Sequence, residues 1–249
     1  MNGLLTGLGA SAVFGGALGW GTFWPSSSFW GPVIARGKAK GVPRYALTFD
    51  DGPTRESTAA VLDILGELGV RAAFFVIGVN ARRCPELLQR MHAEGHIVAN
   101  HSLDHHHFAV FRGRRYWDRQ LGETDAIVER VLGVRPAMFR PPIGIKTGHV
   151  MAAAARRGQA VVTWSRRAVD GIRTTPQHIL NRLVPHTGPG DVLLLHDGIE
   201  PNMKRDPAPT IRAIKPLVQG LRERGLQAVG LDELLGLAPY ASEAAAAAR

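Results

Sequence analysis

Cysteine is nearly missing from this chain. Cys84 is the only one among 249 residues, so no intrachain disulfide can brace the fold. None is required, because 45% of the residues are hydrophobic. At this length that builds the core of one large α/β domain or two small ones. Cys84 lies in Arg83-Cys84-Pro85-Glu86, a helix start with proline in its first turn, and reads as structural. Long basic runs are missing too, as is any nucleic-acid-binding motif. The formal charge of +9 suits an anionic partner. The cations are scattered, however, which describes a generally basic surface and argues against nucleic acid as a partner. No internal repeat occurs.

Charge of either sign is absent from Met1 to Ala35. Within this stretch Gly3 to Trp24 is apolar and long enough to span a bilayer. Gly15 and Gly19 have the spacing of a close helix contact, and Trp20, Trp24 and Trp30 suit an interface. A basic n-region is lacking, which argues against a cleaved signal peptide. Residues 1–24 are therefore read as a membrane-anchoring segment of a bacterial protein. Arg36, Lys38, Lys40 and Arg44 follow it, so the side of the membrane stays open. A soluble extension packed on the domain is the alternative. Residues 25–43, with Ser26 to Ser28 and repeated Gly and Pro, read as a linker.

From there the chain alternates. Apolar runs at Tyr45–Phe49, Ala72–Val76, Ile97–Ala99, Ala137–Phe139, Ala160–Thr163, Val192–Leu195 and Leu226–Val229 read as strands. Helical stretches are expected at Ser57–Leu68, Pro85–Glu94, Arg115–Leu132, Gly148–Arg157, Pro176–Val184, Pro207–Arg224 and Asp232–Leu237. Glycines such as Gly69 and Gly133 fit helix C-caps. Such alternation predicts a parallel sheet, and seven units predict a barrel one unit short of the common eight. The alanine-rich end, residues 239–249, reads as a flexible tail.

In such a barrel the C-terminal strand ends converge on one face. Thr48-Phe49-Asp50-Asp51-Gly52 puts two mutually repelling carboxylates at the first of these ends. His101-Ser102-Leu103-Asp104-His105 places two imidazoles at i and i+4, which one helical turn would bring to one side. His106 and His107 leave a solvated histidine cluster open as another reading. With Asp51 the set becomes two histidines and a carboxylate, able to hold Zn²⁺ for hydrolysis or Fe²⁺ for oxygen chemistry. Asp50 as a spare base and His196 as a spare acid favour hydrolysis. Arg140, before the rigid Pro141-Pro142-Ile143-Gly144 turn, is placed to hold a carboxylate in a bidentate fork. Trp164 and Asp170 follow the fifth strand, and Asp197 reads as a turn residue.

Together these residues resemble the polysaccharide deacetylases with a NodB homology domain, carbohydrate esterase family 4. Thr48-Phe49-Asp50-Asp51-Gly52 looks like the family's first motif and His101 to His105 like its second. Arg140 to Gly144 is similar to the third, and Leu194-Leu195-His196 to the fifth. The resemblance implies a distorted (β/α)7 barrel, a single catalytic domain over residues 44–238. It implies removal of N-acetyl groups from an amino-sugar polysaccharide containing N-acetylglucosamine. Asp51, His101 and His105 would bind a divalent metal, usually zinc. Asp50 would be the base, held by Arg140, and His196 the acid, oriented by Asp170. Leu194 would line the acetyl slot, the Ile143 N–H would help bind the oxyanion, and Pro142 and Trp164 would complete the substrate wall. Ile143 stands where the family usually has an aromatic, and Gly171 where it usually has tryptophan. Two alternatives remain: a deformylase or deacetylase of a lipid-linked amino sugar, and a non-catalytic glycan-binding protein.

Overall fold

The computed structural model of the protein describes residues 18–38, 41–201 and 203–242. Alternation builds its sheet. In β1 (Arg44–Asp50), Tyr45, Leu47 and Phe49 alternate with Ala46, Thr48 and Asp50. The first set packs with Phe74, Val98, Leu193 and Leu195 beneath the helices. Ala46 packs with Ala73, Phe75, Ala99 and Val192 in a separate inner core. The small residues of that core leave room for long side chains inside the barrel.

The other strands are β2 (Ala72–Val76), β3 (Ile97–Asn100), β4 (Met138–Phe139), β5 (Ala160–Val161), β6 (Arg166–Arg167), β7 (Val192–His196) and β8 (Gln227–Ala228). All pair in parallel, in the order β5-β4-β3-β2-β1-β7-β6, and β8 pairs with the start of β1. Connections between parallel strands must cross over, and helices make most of the crossings. They are α1 (Arg55–Leu68), α2 (Gly78–Arg83), α3 (Pro85–Ala93), α4 (Arg114–Leu132), α5 (Gly148–Arg156), α6 (Pro176–Leu183), α7 (Ala208–Glu223) and α8 (Leu231–Leu235). Gly69 and Gly133 end α1 and α4 in the left-handed conformation, as expected. Strand β6 is an addition to the expected seven. Both its residues are exposed arginines, so no apolar run announces it.

The chain ahead of the barrel lies along it. Ile34 forms a parallel bridge with Val162 beside β5, and Arg36 an antiparallel bridge with Asp191 just before β7. The stretch expected as a linker thus ties β5 to β7 through residues 34–37. Lys146 Nζ donates to the carbonyls of Trp24 (2.9 Å), Gly144 (3.2 Å) and Pro25 (3.3 Å), and its backbone N–H donates to Thr22. Of the stretch expected to anchor in a membrane, residues 1–17 lie outside those described. Among the described residues no helix is long and apolar enough to cross a membrane. At the other end, residues 239–241 are paired: Ala137 N–H donates to Pro239 and Ala241 N–H to Arg135. The rest of the expected tail, from residue 243, lies outside the described residues.

Candidate active site

The parallel register assembles the site. Asp50, last in β1, stands opposite His196, last in β7, and opposite Phe75 in β2. Asn100 ends β3 opposite Phe139 of β4, and Arg140 comes next. The polar residues therefore arrive at the C-terminal ends of the strands, the face that such sheets use for chemistry.

Arg140 is fully buried. Its NH1 donates to Asp50 Oδ1 at 2.7 Å and to Thr48 Oγ1 at 2.9 Å. Nε and NH2 donate to the carbonyls of Val162 and Thr163. The guanidinium lies 3.9 Å from the centre of the Phe75 ring. The expected bidentate fork is thus replaced by a single contact to the carboxylate. The other donors satisfy strand-end carbonyls that the barrel interior would otherwise leave bare.

Asp51 Oδ1 lies 3.7 Å from His101 Nε2 and 3.6 Å from His105 Nε2. It is buried and has no hydrogen-bond donor. The two histidines do not share a helical turn. The stretch from His101 to His106 is a loop in which Ser102 and His105 take positive φ of 71° and 53°. Asn100 Oδ1 accepts from Ser102 N–H, and Gln120 Oε1 from Leu103 N–H, which fixes the loop. His101 Nδ1 lies 2.7 Å from the Arg140 carbonyl and donates to it, so its Nε2 lone pair faces Asp51. Burial lowers the His101 pKa, which suits a neutral ligand. An unpartnered buried oxygen facing two ring nitrogens fits a divalent metal, and the mixed Asp-His-His donor set suits zinc among others.

His196 Nδ1 donates to Asp170 Oδ1 at 2.8 Å. Asp170 Oδ2 accepts from the His196 N–H at 3.0 Å and from Thr210 Oγ1 at 2.8 Å. Burial alone would lower the His196 pKa. Asp170 foremost, with Asp51 and Asp50 behind it, outweighs burial and pushes it up to about 9. His196 Nε2 lies 3.9 Å from Asp51 Oδ2, on the side of the carboxylate away from the other histidines.

These groups open into a cavity of about 310 Å³. Asp50, Asp51, His101, His105, Ile143, Trp164, Leu194 and His196 all line it. Arg140 and Asp170 stand behind it as supports. Pro142 lines a separate crevice with His106 and Trp117. Gly171 lies against His196, and exposed Ile172 and Met203 flank the mouth. Among the described residues the non-glycine positions with positive φ are Asp51, Ser102, His105, Ile143 and Val169. Four of the five line this cavity. Backbone strain of this kind gathers where the surrounding structure forces a geometry that function uses.

Three further residues matter that the sequence did not single out for the site. Glu200 Oε2 lies 3.0 Å from His105 Nδ1 in a bent approach and beside His107 Nε2. It stands behind the outer face of the His105 ring, where carboxylates support metal-bound histidines. Asp197, read as a turn residue, is buried beneath the Gly52 turn and accepts from Thr58 Oγ1 at 2.5 Å. Asn80 Nδ2 ties the carbonyls of Asp51 and Ile199 together. The sequence separations of these pairs, 95 residues for His105 to Glu200 and 139 for Thr58 to Asp197, leave no local pattern to read.

Comparison with known proteins adds to this geometry. The family described as Polysaccharide deacetylase matches residues 37–162. A chitooligosaccharide deacetylase of Bradyrhizobium sp. (strain ANU 289) is 36% identical over 204 residues, covering 80% of this chain and 93% of the relative. A peptidoglycan-N-acetylglucosamine deacetylase of Bacillus cereus is 31% identical, covering 76% of this chain and 67% of the relative. A crystal structure of a peptidoglycan N-acetylglucosamine deacetylase superposes with a TM-score of 0.77 at 28% identity, covering 83% of this chain and 94% of that one.

Proposed function

Because this chain belongs to the polysaccharide deacetylase family, we propose that it is a metal-dependent hydrolase removing N-acetyl groups from an N-acetylglucosamine-containing polysaccharide. One observation carries the reading most directly. Asp50 and His196, each braced by an opposite charge, flank an Asp-His-His set whose central oxygen lacks a donor. Asp51, His101 and His105 would hold the metal, taken as zinc. When bound, the metal supplies Lewis-acid chemistry to the amide carbonyl.

The chain's own residues do the rest. Arg140 engages Asp50 Oδ1 and leaves Oδ2 to take the proton of the attacking water. The Ile143 N–H is the proposed donor to the oxyanion, held at the cavity by its left-handed backbone. Leu194 borders the slot for the acetyl methyl. His196 gives its Nε2 proton to the departing amine, while Asp170 holds Nδ1–H and keeps the ring aimed. The carbon–nitrogen bond breaks, and the acetyl group leaves as acetate.

The test uses the metal-loaded full chain with N-acetylglucosamine oligomers, peptidoglycan fragments and a formamido-sugar lipid. Acetate is expected from a glycan. The Asp50→Asn variant is expected to release none while keeping its metal. Formate from the lipid with no acetate from either glycan would replace this reading with that of a lipid-linked sugar deformylase.

A further inference from the structure

A second and larger cavity, about 990 Å³, adjoins the catalytic one. The two share Ile143, Trp164 and Arg167 as lining, so a chain leaving the catalytic cavity on this side passes directly into the groove. One wall comes from the N-terminal segment, where Phe23 and Trp24 are 64% and 57% exposed. Aromatic faces left open beside a cavity suit the flat apolar faces of sugar rings.

The charges of the groove are of one sign. Arg36, Arg166, Arg167 and Arg182 reach it from three different elements: the N-terminal segment, β6 and α6. No carboxylate lines it. The nearest acid engaged by these elements is Asp191, which is fully buried and already shared between Arg36 at 3.2 Å and Arg166 at 3.3 Å. Among the described residues the Arg167 guanidinium has no carboxylate partner. Among the described residues the Arg182 side chain bonds to the Arg167 carbonyl alone, at 3.4 Å.

We propose that this groove binds the part of the glycan next to the acetylated sugar, and that Arg167 and Arg182 select a polymer whose neighbouring sugars carry carboxylates. The inference rests on the deacetylase reading for the identity of the polymer as a glycan. Guanidinium forks match carboxylates in geometry. With Arg166 and Arg36 already engaged by Asp191, the uncommitted cations Arg167 and Arg182 come from separate elements and match single charges repeated along a chain better than one dense phosphate. The scattered positive charge of the whole molecule acts in the same direction by drawing such a polymer in.

The experiment compares matched probes on the metal-loaded full chain by calorimetry and by acetate release. One probe alternates N-acetylglucosamine with glucuronic acid. The second is the same oligosaccharide with its carboxyl groups reduced to alcohols. The third is a phosphorylated N-acetylglucosamine oligomer. The acidic probe is expected to bind about tenfold tighter than its reduced form, which is about 1.4 kcal/mol. That preference should shrink as salt rises. In the double variant Arg167→Gln/Arg182→Gln the ratio between acidic and reduced probes should collapse toward one. Equal binding of the two probes by the parent, or an undiminished ratio in the variant, would overturn the proposal. So would tighter binding of the phosphorylated oligomer, which would make phosphate the anion. Failure of the deacetylase reading looks different: charge-selective binding would persist with no acetate from any probe.

Discussion

The alkaline behaviour of the site turns on Asp170. A base whose pKa is raised keeps its proton below that value and loses it as pH climbs through it. With Asp170 holding His196 above its ordinary value, turnover of the metal-loaded protein should decline only on the alkaline side, above 6.5. Asp170→Asn should draw the decline toward the ordinary 6.5. A pH–rate profile whose alkaline limb stays put in that variant would remove Asp170 from this role. Asp197 is raised as well, but here the protonated form is the neutral one and the effect falls on stability. Burial, helped by Asp51 and only partly offset by Thr58, pushes its carboxyl up to about 7. The folded protein then holds a proton that the unfolded chain has released, so stability drains away as pH rises from 3.8 to about 7. Asp197→Asn is therefore expected to exceed the parent in stability at pH 8, by on the order of 2 kcal/mol. The gain should vanish near pH 4, and urea unfolding of the metal-free protein at both pH values measures it. Most of the candidate site was legible at this scale because its residues sit in short runs at strand ends. Glu200 was not, since its partner His105 precedes it by 95 residues.

Elements differ in how plainly they were written. β1, β2 and β7 are continuous apolar runs, buried on both faces of a parallel sheet, and their bounds come out within a residue or two. β6 could not be read, because two arginines pair by backbone alone. The i, i+4 histidines were legible as a pair but not as a loop. The geometry that brings them together is left-handed backbone at Ser102 and His105, for which serine is no signal and histidine only a weak one. The N-terminal segment is an element that one buried side chain, Lys146, helps to hold. Burial lowers the Lys146 pKa to about 8, yet its ammonium serves three carbonyls. Lys146→Met should leave the Trp24 carbonyl without its donor and loosen residues 22–26 by about 1–3 kcal/mol, while Thr163 still donates to Pro25. Faster amide exchange confined to those residues would show it. Unchanged exchange would mean that Trp30 and Ile34 hold the segment without the lysine.

For the whole molecule, the candidate metal set brings β1 against the loop after β3. A ligand that binds only the folded state stabilises it by about 2.7 kcal/mol at a hundredfold excess over Kd. Chelation should accordingly lower Tm, and metal addition should restore it. Asp51→Asn should show no response to either, while Asp50→Asn should respond like the parent. A Tm indifferent to metal in the parent would mean that Asp51, His101 and His105 do not form a ligand set. The α/β barrel itself was legible from alternation alone. Its seam was not, because the stitch comes from a stretch whose glycines and prolines look like a tether.

That stitch has a consequence for how the protein is made. Arg36 NH2 donates to the carbonyl of Pro189, 153 residues away. At roughly 5–20 residues per second of synthesis, the segment leaves the ribosome on the order of ten seconds or more before its partner exists. β1 shares the delay, since β7 has yet to be translated. This segment, with its exposed aromatics, therefore waits for a partner that is made much later. Nascent chains arrested before residue 190 should expose this segment to proteases and chaperones, and completed chains should protect it.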